Sequence, residues 1–342
     1  MKILINENIP VKKWQKYVLQ HEEGNLFQTY EMYSTYLHTK NFEPFAIAVV
    51  ENERITALML SVIQKEHQGI AGSFSARAII VGGPLSSNIE SLKFLISEYD
   101  NNMKSKVIYS EIRNMFSYDS KKEVFNELNY DFEEHLNIIV DLSKGEKDLW
   151  SDVHPRRRTN INKGTKEGFK FIEISTPAQL KESFNVVEEV YKKAGHPLSD
   201  YSLFENSMKY LTSKGMLKFF AAEINGKIAA VMYVPSYKGR LYEWYVAGLQ
   251  EYQKKFANDF LVWEIFKYGL NNGYNIFDFG GAGSPKKEYG VRDYKKKFGG
   301  EFVNYGRFRK IYKPYMFKLG EQGLKIYKKL KSTSKSQPKV VK

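Results

Sequence analysis

The 342-residue sequence predicts an α/β fold with mixed sheets, built from two tandem copies of one strand-and-helix unit and closed by a C-terminal helix. Three observations predict it. A hairpin recurs at a fixed offset, the same order of elements surrounds each copy, and the length exceeds the roughly 250–300 residues at which one core stops growing.

The hairpin is the clearest repeat. Residues 45–59 read FAIAVVENERITALM and residues 218–232 read KFFAAEINGKIAAVM. Asn52, Arg54, Ile55, Ala57 and Met59 align with Asn225, Lys227, Ile228, Ala230 and Met232 at a constant offset of 173. Each copy reads as strand, tight turn, strand, and Asn225-Gly226 is a standard hairpin turn. Upstream of each lies a helical stretch with apolar residues at helical spacing, NLFQTYEMYSTYL and SLFENSMKYLTS. Downstream of the first hairpin come RAIIVGGPL, SLKFLISEYDNNM, KVIYSEIR, KKEVFNELNYD and HLNIIVDL, alternating strand and helix. Downstream of the second come LYEWYVAG, FANDFLVWEIFKYGLNNG, YNIFDFGG, VRDYKKKFGG and EFVNYGRF, with the same types in the same order.

Residues 143–200 link the copies with a basic helix, the strand KFIEIS, and a helix opened by Pro177 and stopped by Gly195. The stretch PYMFKLGEQGLKIYKKLK reads as a final helix returning over the body. The expected divisions are a first unit over 1–145, a second over 146–310, a C-terminal helix over 311–331, and a basic disordered tail over 332–342.

Composition narrows the chemistry. Hydrophobic residues at 42% and aromatics at 15% are too abundant for a disordered chain. The absence of cysteine excludes disulfides, thiolate nucleophiles and cysteine metal sites, and suits a reducing cytoplasm. The start, MKILINENIPVKKW, lacks the apolar core of a signal peptide, and no apolar run approaches the roughly 20 residues of a membrane span. A cytoplasmic protein is expected, with peripheral contact at the inner membrane face as a further option. The net charge of +13 is localised: residues 286–342 hold 18 Lys or Arg against 4 Asp or Glu, and the remainder is balanced. Such a segment suits tRNA, a diphosphate-linked precursor or an anionic membrane, or is a solvated tail. His154 and His196 each precede proline, no metal-binding spacing occurs, and no metal or cofactor is expected. Ser73 and Ser284 lie in no nucleophile elbow.

The order hairpin, strand, helix, strand, helix, strand resembles the GNAT acyltransferase fold, and two such units in tandem resemble the FemAB-like family. The resemblance is carried by YNIFDFGGAGS (274–284) and YGVRDYKKKFGG (289–300), with Tyr294-Lys295 at the family's Phe-Lys position. LFQTYEMYSTY, GGPL at 82–85 and the Arg-rich helix at 156–166 add to it. The resemblance implies transfer of an acyl group, from aminoacyl-tRNA or in related branches from acyl-CoA, to an amine of a peptidoglycan or other envelope precursor. No long charged heptad segment is present, so the chain is similar to the compact members without a helical arm. Two departures stand out. The family's Arg-Gly-Pro followed by an acid is here Gly82-Gly83-Pro84-Leu85, and the glycine-rich turn for acyl-CoA is here Gln253-Lys254-Lys255-Phe256-Ala257-Asn258.

Acyl transfer to an amine needs a neutral nucleophile, donors for the developing oxyanion and a proton for the leaving group. Gly280, Gly281 and Gly283 would let main-chain N–H groups approach a substrate, or form a tight turn out of a buried strand. Tyr289, Tyr294 and Phe298 flank them as substrate-binding candidates. Phe277 and Phe279 share one strand face, so Asp278 points the other way, either to handle the acceptor amine or to bond the glycine loop. Glu243 faces opposite Tyr242 and Trp244 and is a second candidate base. The family motif puts Lys295 at the site, where an ammonium would stabilise negative charge. Lys295→Ala is expected to abolish turnover and leave the melting temperature nearly unchanged. Arg156, Arg157, Arg158 and Lys163 form a basic helical surface for tRNA phosphates, or a wetted face.

Three functions follow: an aminoacyltransferase using charged tRNA, an acyl-CoA-dependent N-acyltransferase acting on an amino sugar of an exopolysaccharide, or a non-catalytic binder of tRNA or anionic lipid. Only the second copy carries the glycine loop and the lysine helix, so chemistry is expected there, with the first unit as a wall for the acceptor.

Overall fold

The computed structural model describes residues 1–65 and 75–323. The first half of the chain runs β1 (Lys2–Ile5), α1 (Val11–Gln20), α2 (Tyr30–Leu37), β2 (Phe42–Glu51), β3 (Arg54–Gln64), β4 (Arg77–Val81), β5 (Leu85–Ser86), α3 (Ile89–Met103), β6 (Tyr109–Arg113), α4 (Lys122–Glu127) and β7 (Asp131–Glu133). It continues through β8 (Leu136–Asp141), α5 (Glu146–Asp152), α6 (Pro155–Lys166) and β9 (Lys170–Glu173). The second half holds α7 (Pro177–Ala194), α8 (Tyr201–Leu211), β10 (Leu217–Ile224), β11 (Lys227–Tyr237), β12 (Arg240–Tyr242), β13 (Tyr245–Gly248), α9 (Gln250–Gln253), α10 (Ala257–Asn271), β14 (Ile276–Gly281), α11 (Gly290–Lys296), β15 (Glu301–Asn304) and β16 (Arg307–Ile311).

The repeat is real at the level of register. β2 pairs β3 with a bulge between Val49 and Val50, and β10 pairs β11 with a bulge between Ala222 and Glu223, again 173 residues apart. Both turns have positive φ at the two central residues, Asn52 and Glu53 in one, Asn225 and Gly226 in the other, as the right-handed strand twist prefers. The α7 helix is set as its sequence suggested. Thr176 and Gln179 cap each other's backbone, Pro177 opens the first turn, and Gly195 closes the helix in a left-handed conformation.

Two eight-stranded sheets result, ordered β1-β2-β3-β4-β6-β16-β7 with β5 on β3, and β15-β8-β14-β12-β11-β10-β9 with β13 on β11. The expected division does not respect them. HLNIIVDL, expected to close the first unit, is β8 and lies between β14 and β15 of the second sheet. EFVNYGRF is two strands: β15 stays with the second sheet, and β16 inserts between β6 and β7 of the first. The exchange is reciprocal. Only Glu134-His135 and Tyr305-Gly306 join the paired strands, and these links meet, Gly306 N donating to His135 O at 3.2 Å and His135 N to Asn304 Oδ1 at 3.0 Å.

Three cores follow. The one between the sheets takes Trp14 and Val18 of α1, Met32 of α2, Phe184 of α7 and Phe204 of α8 together with Leu60 and Tyr233 of the strands. Each fully buried side chain of this size contributes about 1.5–3 kcal/mol, so the halves cannot part without exposing a common interior. The outer face of the second sheet packs Phe277 and Phe279 under α5, α6 and α10, and α3 covers the outer face of the first. The predicted final helix is seen over residues 314–323, where Phe317 meets Tyr109 edge-on. The remainder of that helix and the tail from 332 lie outside the described residues.

Candidate functional site

The site forms where the second sheet splits. LYEWYVAG is not one strand. β12 runs parallel to β14, β13 returns to β11, and the last rung across the gap is Glu243 N donating to Asp278 O at 2.9 Å. Beyond that rung the carbonyls of β14 have lost a neighbouring strand, and buried carbonyls need donors. Lys295 supplies them. From α11 its ammonium donates to Phe279 O at 2.6 Å and more weakly to Gly281 O at 3.4 Å, and it pairs with Glu243 Oε1 at 2.7 Å. Both side chains of the pair are less than a tenth exposed.

Asp278 is buried at 1% exposure. It accepts from Gly280 N at 2.7 Å and from Asn137 Nδ2 at 3.3 Å. Burial pushes its carboxyl up to about 6 against the pull of those bonds and of the Arg240 and Lys295 charges. A group titrating there suits proton transfer near neutral pH. Gly280 must take positive φ to turn its N–H back on the Asp278 carboxylate. Gly283 also has positive φ, and a side chain there would meet the Tyr289 ring at 3.0 Å. The loop is held from outside by Leu136, whose N donates to Gly283 O, and by Arg292, whose guanidinium bonds Ser284 O and Lys287 O.

The first sheet has the same split, because Gly82 N donates to Arg113 O as Glu243 N does to Asp278 O. It is filled. A Cβ at Gly82 or Gly83 would lie within 2.7 Å of the side chains of Asn25 or Gln28, and Gln28 bonds Leu60 and Val81 across the opening.

A model of the acetyltransferase (GNAT) domain matches residues 155–296. No curated protein matches the chain. Among solved structures the chain is similar to FemX, with 15% identity, 93% of this chain and 99% of that one covered, and a TM-score of 0.73. It is similar to a tandem GNAT protein of clavulanic acid biosynthesis at 8% identity, 91% and 99% coverage and a TM-score of 0.59. A third likeness is to the C-terminal domain of an Agrobacterium fabrum protein described as a lysylphosphatidylglycerol synthetase, at 14% identity, 87% and 90% coverage and a TM-score of 0.57. Both halves together thus have the tandem GNAT fold expected from the repeat.

Within the stretch that the acetyltransferase (GNAT) model matches, the structure gathers Asp278, Glu243, Lys295, Gly280 and Gly281 around the split, with Tyr289 and Gly283 at its mouth. Tyr289 stays 40% exposed. Phe298 is fully buried in the outer core, so it positions α11 and offers no face to a substrate, whereas Tyr294 is half-buried with its ring under the Arg157 guanidinium at 4.2 Å. Arg157 likewise leaves the expected basic surface. It is ion-paired with Asp259 of α10, about a tenth exposed, and stacked on Tyr294 and Phe298. Arg158 reaches Trp150 O at 3.4 Å and is half-buried, which leaves Arg156 and Lys163 as the exposed cations of that set. The burial of Lys295 against Glu243 makes loss of stability, along with loss of turnover, the outcome the structure predicts for Lys295→Ala.

Asn137, His135 and Arg240 were not legible as site residues. Asn137 and His135 come from the stretch around β8, which reaches the site only through strand exchange. Among the described residues no group of His, Asp and Glu is arranged to hold a metal, and no helix is long and apolar enough to cross a membrane.

Proposed function

We propose that the protein transfers an aminoacyl group from aminoacyl-tRNA to an amine of a peptidoglycan or related cell-envelope precursor. The observation that carries this choice of donor is the closed N-terminus of α10. An acyl-CoA pyrophosphate would need that helix end and a small backbone before it. Here Phe256 stands at the cap in a left-handed conformation, Asp259 supplies the first-turn negative charge, and Arg157 of α6 neutralises it. The α6 helix packs so closely that a Cβ on Gly164 would lie 3.1 Å from Phe256 O. The likeness to FemX and to a lysylphosphatidylglycerol synthetase domain, and the basic stretch from 286, support this donor.

In this reading the acceptor amine loses its proton to the Asp278 carboxylate and attacks the ester carbonyl. The oxyanion takes the Lys295 donor now spent on the weak bond to Gly281 O. Glu243 holds that ammonium in place. As the C–N bond forms and the ester C–O bond breaks, Asp278 returns the proton to the leaving tRNA hydroxyl. Incubation of the purified protein with labelled aminoacyl-tRNA or labelled acetyl-CoA and a panel of amine acceptors tests it. Transfer from charged tRNA is the expected result, and transfer from acetyl-CoA alone would sink the proposal in favour of the acyl-CoA enzyme.

A further inference from the structure

The inner face of the first sheet, beyond the reach of α1 and α2, carries a row of arginines assembled by the strand exchange. Glu111 and Arg113 stand on β6, and Arg307 and Arg309 on the inserted β16 beside it. Glu111 is buried and accepts from all three, from Arg113 Nε at 2.8 Å, Arg309 Nη2 at 2.6 Å and Arg307 Nη1 at 3.4 Å. Its carboxyl is pulled down to about 2 by those guanidiniums against the opposing effect of burial. Arg309 has a second carboxylate, Glu133, at 3.3 Å. Three guanidiniums, of Arg113, Arg307 and Arg309, thus face two carboxylates, Glu111 and the Glu133 that lies opposite Arg307 on β7, while the side chains of Arg113 and Arg307 remain 45% and 27% exposed.

The surroundings do not make up the deficit. His135, the neighbour on the crossing link, is pushed down to about 4 by burial and by Arg307, so it stays neutral at physiological pH. Arg240 of the second sheet stacks on Phe116 just past β6, and its charge acts on Asp278. The cationic row is contiguous with the catalytic loop. The His135 ring lies against Gly281, and Asn114, next to Arg113, donates to Tyr305 O on the other link. Arginines with unspent N–H groups on one face of a rigid sheet match the geometry of a phosphate.

We propose that Arg113 and Arg307, steadied by Glu111, bind a phosphate group of the acceptor, a phosphate ester or diphosphate, and hold its amine toward Asp278. The proposal rests on the acyl-transfer reading for the direction the acceptor faces, but its binding test needs no turnover. Inorganic pyrophosphate is the probe, titrated calorimetrically into the wild type and into R113Q/R307Q. Arg309 remains in the variant to neutralise Glu111, and its urea midpoint is checked alongside. Wild type should bind pyrophosphate, and the double variant should bind at least about tenfold more weakly, since each charge-assisted bond carries a large share of such affinity. Should the double variant fail to fold, R113Q alone, altering the most exposed of the set, should still weaken binding severalfold, with R113K restoring part of it. Absence of pyrophosphate binding to the wild type, or equal binding to wild type and variants, overturns the proposal. Filter retention of charged tRNA should be unchanged in R113Q/R307Q. Loss of tRNA retention with pyrophosphate affinity intact would assign the row to the donor and likewise overturn it. Failure of the transfer assay with pyrophosphate binding retained would count against the aminoacyl reading and not against this site.

Discussion

Replacing Lys295 by methionine separates what this residue does for the fold from what it does for the reaction. The substitution keeps most of the buried aliphatic stem but leaves the Glu243 carboxylate, less than a tenth exposed, without its partner. Breaking a buried pair from one side costs about 3–5 kcal/mol, because the remaining charge is neither solvated nor paired. Removing both charges in E243Q/K295M eliminates that term and leaves only Phe279 O and Gly281 O short of a donor, about 1–3 kcal/mol. The double variant should therefore be more stable than K295M by about 2 kcal/mol, measured by urea unfolding as a double-mutant cycle. Transfer from charged tRNA should fall about 100-fold or more in both, since neither offers a cation to the oxyanion. If K295M were as stable as wild type, the reading of Lys295 as the donor to the opened strand would be refuted. If E243Q/K295M recovered turnover along with stability, Lys295 would be structural only.

Asp278 and the first hairpin give three further outcomes. Asp278 has a folded-state value near 6 against 3.8 for the free side chain, so transfer should rise with pH through about 6 as the base ionises, and D278N should lose that limb. The same shift makes burial of the charged form a destabilising load that is absent below the unfolded value and complete above about 6, so D278N should gain stability relative to wild type at pH 8 compared with pH 3. In the first hairpin Glu53 occupies the left-handed position that Gly226 fills in the second. Glu53→Gly should raise stability by about 0.5–1 kcal/mol in urea unfolding, and a loss would contradict the equivalence of the two turns.

The sequence was informative wherever an element is decided locally. The paired turns at Asn52 and Asn225 and the α7 helix opened by Pro177 and stopped by Gly195 follow from spacing and turn chemistry within a few residues. The glycine loop and Lys295 were legible because a motif holds them in one short stretch. Arg157 misled because a run of arginines looks alike whether it faces water or not. Only Asp259, a hundred residues away, draws this one inward.

By itself the sequence determined that two copies of one unit exist, and that only the second carries the loop and the lysine. Tertiary structure decided which sheet each strand joins. β8 and β16 have strand patterns that would suit either sheet, and the short links Glu134-His135 and Tyr305-Gly306 settle the matter by crossing between sheets. That crossing brings Asn137 to Asp278 and sets Arg307 beside Arg113. These juxtapositions depend on pairing between residues more than 140 positions apart, and no local periodicity encodes them.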